Sequence, residues 1–207
     1  MTIIYLMRHS RGNFDKNYIN TDESFQMENE KYILSVEGER KAKKYSKFEE
    51  LKNINYVVSS NYVRAMATAK YIAHFNQIPL MVDDDFNERK FGVDDVKKIP
   101  QDFFRKQMEN ENYKLDDGES RLDVHKRMIK GLINVMKRNK DKKAVIVSHA
   151  SSIAFLLTKW CSVEMINSKY VIKYKGKEIL NGFDSPELLK LEFNDKNRLV
   201  NIECIKK

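Results

Sequence analysis

The stretch Thr2-Ile3-Ile4-Tyr5-Leu6-Met7-Arg8-His9 decides how the chain is read. An apolar run closed abruptly by an arginine and a histidine has the character of a strand buried on both faces, delivering two polar groups to its carboxyl end. Two later runs behave alike: Ala144-Val145-Ile146-Val147 leads into Ser148-His149, and Ile54-Asn55-Tyr56-Val57-Val58-Ser59-Ser60 precedes Arg64. In open α/β sheets ligands sit beyond the carboxyl ends of the strands, so Arg8, His9, Arg64 and His149 are expected to share one pocket although far apart in sequence. Two guanidinium and two imidazole groups suit a phosphoryl group, because the forks match its oxygens and imidazole can donate, accept or attack. The positive end of a helix following His149 would add attraction for an anion.

Between these runs the chain alternates strand-like and helix-like segments. Ser10 to Tyr32 is polar and without sustained periodicity, and reads as a loop over the pocket. Ser35 is an N-cap candidate for a helix to about residue 52, with Ala42, Tyr45, Phe48 and Leu51 as its buried stripe. A helix over about 62–76 places Met66, Ala69 and Ala73 on one side, and a short strand follows over 78–82. Asp83-Asp84-Asp85 lacks a companion ligand set and reads as a solvated turn, so no metal is assigned. Residues 91–120 look like an inserted cap: Pro100 opens a short helix with Phe103, Phe104, Gln107 and Met108 on its face, and Asp116-Asp117-Gly118 is a turn. Ser120 and Asp123 form a capping pair for a helix bearing Ile129, Leu132 and Met136, and His125 lies in register with that packing stripe. After His149 a helix places Ile153, Leu156, Leu157 and Trp160 on one side. Residues 170–179 and the pair 188–193 and 199–205 read as hairpins.

A chain of 207 residues with 42% hydrophobic and 33% charged residues can bury a sizeable core, and one domain over 1–207 carrying the cap is expected. No apolar run approaches the length needed to span a bilayer. The N-terminus lacks the pattern of a secretory leader, so a cytoplasmic location is the expectation. Cys161 and Cys204 form neither a disulfide framework nor a metal-ligand spacing and read as reduced thiols. The formal charge of +8 comes from lysines scattered along helices, which favours a solvated surface over a nucleic-acid stripe. No nucleic-acid or membrane partner is expected, and the oligomeric state is open, a dimer included.

The motifs together resemble the histidine phosphatase superfamily, which includes the cofactor-dependent phosphoglycerate mutases. The Arg-His-Gly signature appears as Arg8-His9-Ser10, and Leu-Thr-x-x-Gly as Leu34-Ser35-Val36-Glu37-Gly38. Ser-Ser-x-x-x-Arg-Ala-x-x-Thr-Ala is matched from Ser59 to Ala69, and Leu-x-Glu-x-x-Phe-Gly by Phe86 to Gly92. Gly118-Glu119-Ser120 with Asp123 and Arg127 follows, then Ser148-His149-Ala150 in place of Ser-His-Gly. Each motif is weak alone, whereas their order and spacing are specific. With the strand–helix rhythm, the resemblance implies an α/β fold with a mainly parallel central sheet, helices on both faces in three layers, and the small cap. It implies His9 as the phosphorylated nucleophile, Arg8, Arg64 and His149 as holders of the phosphoryl oxygens, and Glu88 as the acid that protonates the leaving group. Neither metal nor cofactor is implied. Glu119 and Arg127 are expected to pair with each other or orient the cap.

Two departures stand out: Ser10 and Ala150 replace the glycines that follow the histidines. If those glycines need positive φ, the replacements strain the site; if they serve only close approach, small residues suffice. Arg11, Gly12 and Asp15 stand where the family commonly has other residues after the signature. Arg11 is an additional phosphate or carboxylate ligand or a solvated side chain, and Asn13 is a further candidate for the pocket. The expected activity is hydrolysis of a small phosphomonoester, with a phosphorylated protein side chain as another substrate class. Phosphoglycerate mutase and a phospholigand-binding pseudoenzyme are the alternatives; the short interval from Glu88 to His149 favours the phosphatase.

Overall fold

Side-chain alternation along β1 (Thr2–Arg8) sets the layers: Ile4 and Leu6 join one buried cluster, Tyr5 and Met7 the other, as in a strand covered on both faces. The computed structural model describes residues 1–13 and 23–206. After β1 come α1 (Phe25–Lys31), α2 (Val36–Tyr45), β2 (Tyr56–Ser59), α3 (Val63–Phe75), β3 (Leu80–Val82), α4 (Phe103–Glu109) and α5 (Arg121–Arg138). The chain continues through β4 (Lys143–Ser148), α6 (Ala150–Leu157), β5 (Cys161–Ile166), β6 (Lys169–Tyr174), β7 (Lys177–Asn181), β8 (Glu187–Phe193) and β9 (Leu199–Cys204).

The main sheet has the order β3-β2-β4-β1-β8-β9. Its first four strands are mutually parallel, while β8 runs antiparallel to β1 and β9 antiparallel to β8. Val124, Met128 and Leu132 of α5 and Ile153 to Leu157 of α6 cover the face carrying Ile4 and Leu6. Ala65, Ala69, Ile72 and Ala73 of α3 cover the face carrying Tyr5 and Met7. The fold is therefore α/β, with a mainly parallel sheet between helical layers, as the sequence implied. Among the described residues no helix is long and apolar enough to cross a membrane.

Local chemistry explains most boundaries. Ser35 caps α2 by accepting from Gly38 N, and Ser120 with Asp123 forms a reciprocal capping box on α5. Asp83 accepts from Asp85 N and so opens a short 3₁₀ turn, leaving the acidic triplet as a turn.

Three expectations are corrected. The helix expected to run to residue 52 stops at Tyr45; Phe48 and Leu51 stay buried because a 3₁₀ turn over Glu49–Leu51 returns them to the core. The expected 10–32 loop, part of which lies outside the described residues, contains α1, capped by Ser24. This helix buries an asparagine, Asn29, rather than an apolar stripe, so it carries no hydrophobic period. Finally, α6 ends at Leu157 and Trp160 lies beyond it; β5 then pairs with the expected hairpin as a separate three-stranded antiparallel sheet, β5-β6-β7.

Candidate active site

Because β1, β2 and β4 run parallel and in register, their carboxyl ends coincide: Arg8 lies opposite Ser148, and Ser59 opposite Val147. The next residues leave the sheet together, with His9 N donating to Ser148 O at 3.0 Å and Ser60 N to Val147 O at 2.9 Å. The first turn of α3 brings Arg64 to the same place.

The His9 and His149 rings lie 5.1 Å apart, and both residues are buried. His9 Nδ1 sits 2.7 Å from Ser10 O, a pure acceptor, so Nδ1 carries the hydrogen and the lone pair resides on Nε2. Arg64 Nε donates to that Nε2 at 3.1 Å, and Arg64 Nη2 donates to His149 Nδ1 at 3.2 Å. The opposite tautomer follows for His149: its Nε2–H donates to Ser60 Oγ at 2.9 Å, and Ser60 Oγ donates to Asn87 Oδ1 at 3.0 Å. Burial, reinforced by the Arg64 and Arg8 charges, holds both imidazoles well below their ordinary titration range. Each is a neutral ring at neutral pH.

Arg64 is itself buried. Asn29 of α1 holds it, its carbonyl accepting from Nη1 and its Oδ1 from Nη2 at 3.1 Å. Sequence reasoning missed Asn29; the signal available was a polar residue three positions before the end of a polar segment, too little to identify it. Arg8 turns its Nη1 toward the loop before β8, donating to Phe183 O at 2.7 Å and Asp184 O at 3.3 Å. Its Nε is buried without a partner among the described residues.

Glu88 is half-buried, its Oε1 accepting from Arg89 N at 3.0 Å and Ser152 Oγ at 3.1 Å. Its charge is felt at both Arg8 and Arg64, opposing the lowering that burial imposes on them. The backbone beneath it is held by Arg127, which donates to Asp85 O, Asn87 O and Glu88 O at 3.0, 2.8 and 3.2 Å. The same guanidinium forks the Glu119 carboxylate at 2.7 and 2.9 Å, so Arg127 and Glu119 do pair. Gly92, at φ +76°, packs directly on Gly118, where a Cβ on Gly92 would come within 2.2 Å of Gly118 N.

The two replaced glycines cause no backbone strain, since neither Ser10 nor Ala150 has positive φ. Ser10 N donates to Thr68 Oγ1 at 2.9 Å and Ser10 Oγ to Gly38 O at 2.7 Å. Gly38 is needed for a different reason, because a Cβ there would lie 2.0 Å from Arg11 O. Arg11 itself turns outward and pairs with Glu37 at 2.6 Å, both side chains exposed. Asn13 N donates to Ile33 O at 2.8 Å. His125 is half-buried and bonds Phe155 O through Nδ1 at 2.8 Å. Among the described residues no group of three or more His, Cys, Asp or Glu side chains could hold a metal ion. Beside the first turn of α6, a groove of about 720 Å³ opens between α4 and the β5–β6 pair, with Ser151 on its inner wall.

The arrangement can bind an oxyanion, present an imidazole lone pair to it and offer a carboxyl group nearby. Comparison with known proteins points the same way. "Uncharacterized phosphatase PhoE" of Bacillus subtilis (strain 168) is 28% identical over 158 residues, covering 76% of this chain and 77% of that protein. "Probable phosphoglycerate mutase GpmB" of Yersinia enterocolitica is 26% identical over 165 residues, covering 76% and 74%. The fold is similar to that of a mycobacterial glucosyl-3-phosphoglycerate phosphatase solved with inorganic phosphate, with a TM-score of 0.69, 17% identity and coverage of 99% and 95%. The family model for the histidine phosphatase superfamily (branch 1) matches residues 4–173, a span holding every residue of the cluster just described, and the chain belongs to that superfamily.

Proposed function

We propose that the protein hydrolyses small phosphomonoesters by two successive displacements at phosphorus. Membership of the superfamily, together with the similarity to PhoE, supports phosphatase chemistry as the class. The observation that carries the mechanism is the state of His9: neutral, tethered through Nδ1–H to Ser10 O, with its Nε2 lone pair facing the site. A substrate phosphoryl group would replace the imidazole as the partner of Arg64 Nε, with Arg8 and His149 taking further oxygens. Nε2 attacks phosphorus, the N–P bond forms as the ester P–O bond breaks, and the Glu88 carboxyl gives its proton to the leaving oxygen. Water then attacks the phosphohistidine, its proton passing to the Glu88 carboxylate as the N–P bond breaks. The arginines stabilise the charge on the transferring group.

Incubation with an aryl phosphate and, separately, with 3-phosphoglycerate tests this reading. Release of inorganic phosphate, acid-labile phosphate trapped on His9, and loss of both in His9→Ala are expected. The similarity to GpmB makes phosphoglycerate mutase the second reading, and isomerisation of 3-phosphoglycerate outpacing phosphate release would establish it instead. A phospholigand-binding pseudoenzyme would find its support in Ser10 and Ala150 standing in for glycines, and neither position has the positive φ that would strain the site.

A further inference from the structure

We infer that Arg89 is a positioning residue for Glu88, locking the proposed acid to the cap; this rests on the phosphatase reading above. Arg89 is 2% exposed, and the side-chain hydrogen bond it makes goes to a neutral amide rather than a carboxylate. Its guanidinium instead lies among four aromatic rings, with Cζ 4.8 Å from the Phe91 centroid, 4.7 Å from Phe104, and 5.6 Å from both Phe103 and Phe155. Nη1 donates to Gln107 Oε1 at 2.9 Å, while Nε is buried without a hydrogen-bond partner. Gln107 Nε2 in turn donates to Glu119 O at 2.9 Å.

This cage draws on both sides of the site. Phe103, Phe104 and Gln107 come from α4, and Phe155 from α6, whose first turn supplies Ser152 to Glu88. Ring faces attract a desolvated cation and hold it in place over them, which offsets part of the cost of burying it. What the cage fixes is the peptide of Arg89, and that peptide's N–H is one of the two donors to Glu88 Oε1. Arg89 touches no reacting atom; it sets where the carboxyl points.

A purely structural role would weaken all substrates alike, whereas a role through Glu88 weakens only those whose leaving oxygen needs a proton. The test compares kcat/KM, which reports steps through phosphoryl transfer to His9, for glycerol 2-phosphate and for 2,4-dinitrophenyl phosphate, whose phenolate departs without protonation. Glu88→Gln sets the benchmark by losing activity selectively on the alkyl ester. Arg89→Met is expected to lose about tenfold more on the alkyl ester than on the aryl ester. Arg89→Lys, which keeps a cation in the cage, should recover most of it. Gln107→Met, a milder cut, should shift the ratio the same way and carries the test if Arg89→Met does not fold. Equal losses on the two esters, or an unchanged ratio in the folded variants, would overturn the inference while leaving Glu88 as the acid. A Glu88→Gln variant without selectivity would overturn the acid assignment and this inference together, and hydrolysis of neither ester by the unmodified protein would overturn the phosphatase reading beneath both.

Discussion

Arg64 Nε donates to His9 Nε2 across 3.1 Å, so a buried guanidinium lies against the lone pair of the proposed nucleophile. That contact fixes the orientation of the ring, and in the proposed mechanism a substrate phosphoryl group would displace it. Lysine cannot reproduce a guanidinium that reaches both His9 and His149. Arg64→Lys is therefore expected to lower kcat/KM for an aryl phosphate by about 10²-fold or more, and inhibition by vanadate should weaken in the same assay.

Asn29 should behave as part of the site although it lies on α1. Its carbonyl and side chain orient Arg64, so Asn29→Ala leaves a buried guanidinium short of an acceptor. The expected outcome is a rise in KM for small phosphoesters of about tenfold, with stability lowered by about 1–3 kcal/mol in urea titration.

The two site histidines make stability depend on pH in a definite direction. Unfolded, each imidazole titrates near its ordinary value of 6.5; folded, burial and the neighbouring guanidinium charges hold it well lower. Between those values the unfolded chain binds the additional protons, so this contribution is complete above about pH 6.5 and is lost as pH falls toward the folded value. Melting curves should show the protein losing stability between about pH 7 and pH 5, and His149→Gln should flatten that slope relative to the parent.

Arg127 supports the backbone on which Glu88 rides. Arg127→Met strands the Glu119 carboxylate and releases three carbonyl oxygens, and is expected to cost about 3 kcal/mol. The Arg127→Met, Glu119→Gln double variant should recover part of this in a thermal-unfolding cycle, because the uncompensated charge is gone. Neither should recover full kcat, since the carbonyls remain unheld.

Small changes at Ser10 and Gly38 should both lower stability but differ in their effect on activity. Ser10→Gly removes one buried hydroxyl contact with Gly38 O, so stability should fall by about 1 kcal/mol while activity persists. Gly38→Ala drives a methyl into Arg11 O, and should cost about 1–3 kcal/mol together with a measurable loss of kcat/KM, as the segment after His9 is displaced.

Much of this architecture was legible because the strands that matter are apolar runs with polar endings. Arg8, His9, Arg64 and His149 could be grouped by the rule that parallel strands share a carboxyl edge, and the register of β1, β2 and β4 brings them there. Glu88 came only from motif resemblance, since it follows a 3₁₀ turn rather than a strand and no periodicity marks it. Asn29 and Arg89 were invisible for opposite physical reasons. A polar residue buried by hydrogen bonds looks in sequence like any loop asparagine, and an arginine caged by aromatic rings looks like any surface cation until Phe103, Phe104 and Phe155 are brought around it. Arg11 shows the reverse: its position beside the signature left a ligand and a solvated side chain equally open, and the side chain lies at the surface paired with Glu37.

The placement of β1 between β4 on one side and β8 on the other also bears on how the molecule ages in solution. Amide protons along this doubly paired strand should exchange with deuterium only through global opening, whereas those of the short edge strand β3 and of α4 can exchange through local fraying. The strand that carries His9 would then be among the last structure to let go, so partial unfolding would loosen the walls of the site before it disturbed the ring of the proposed nucleophile.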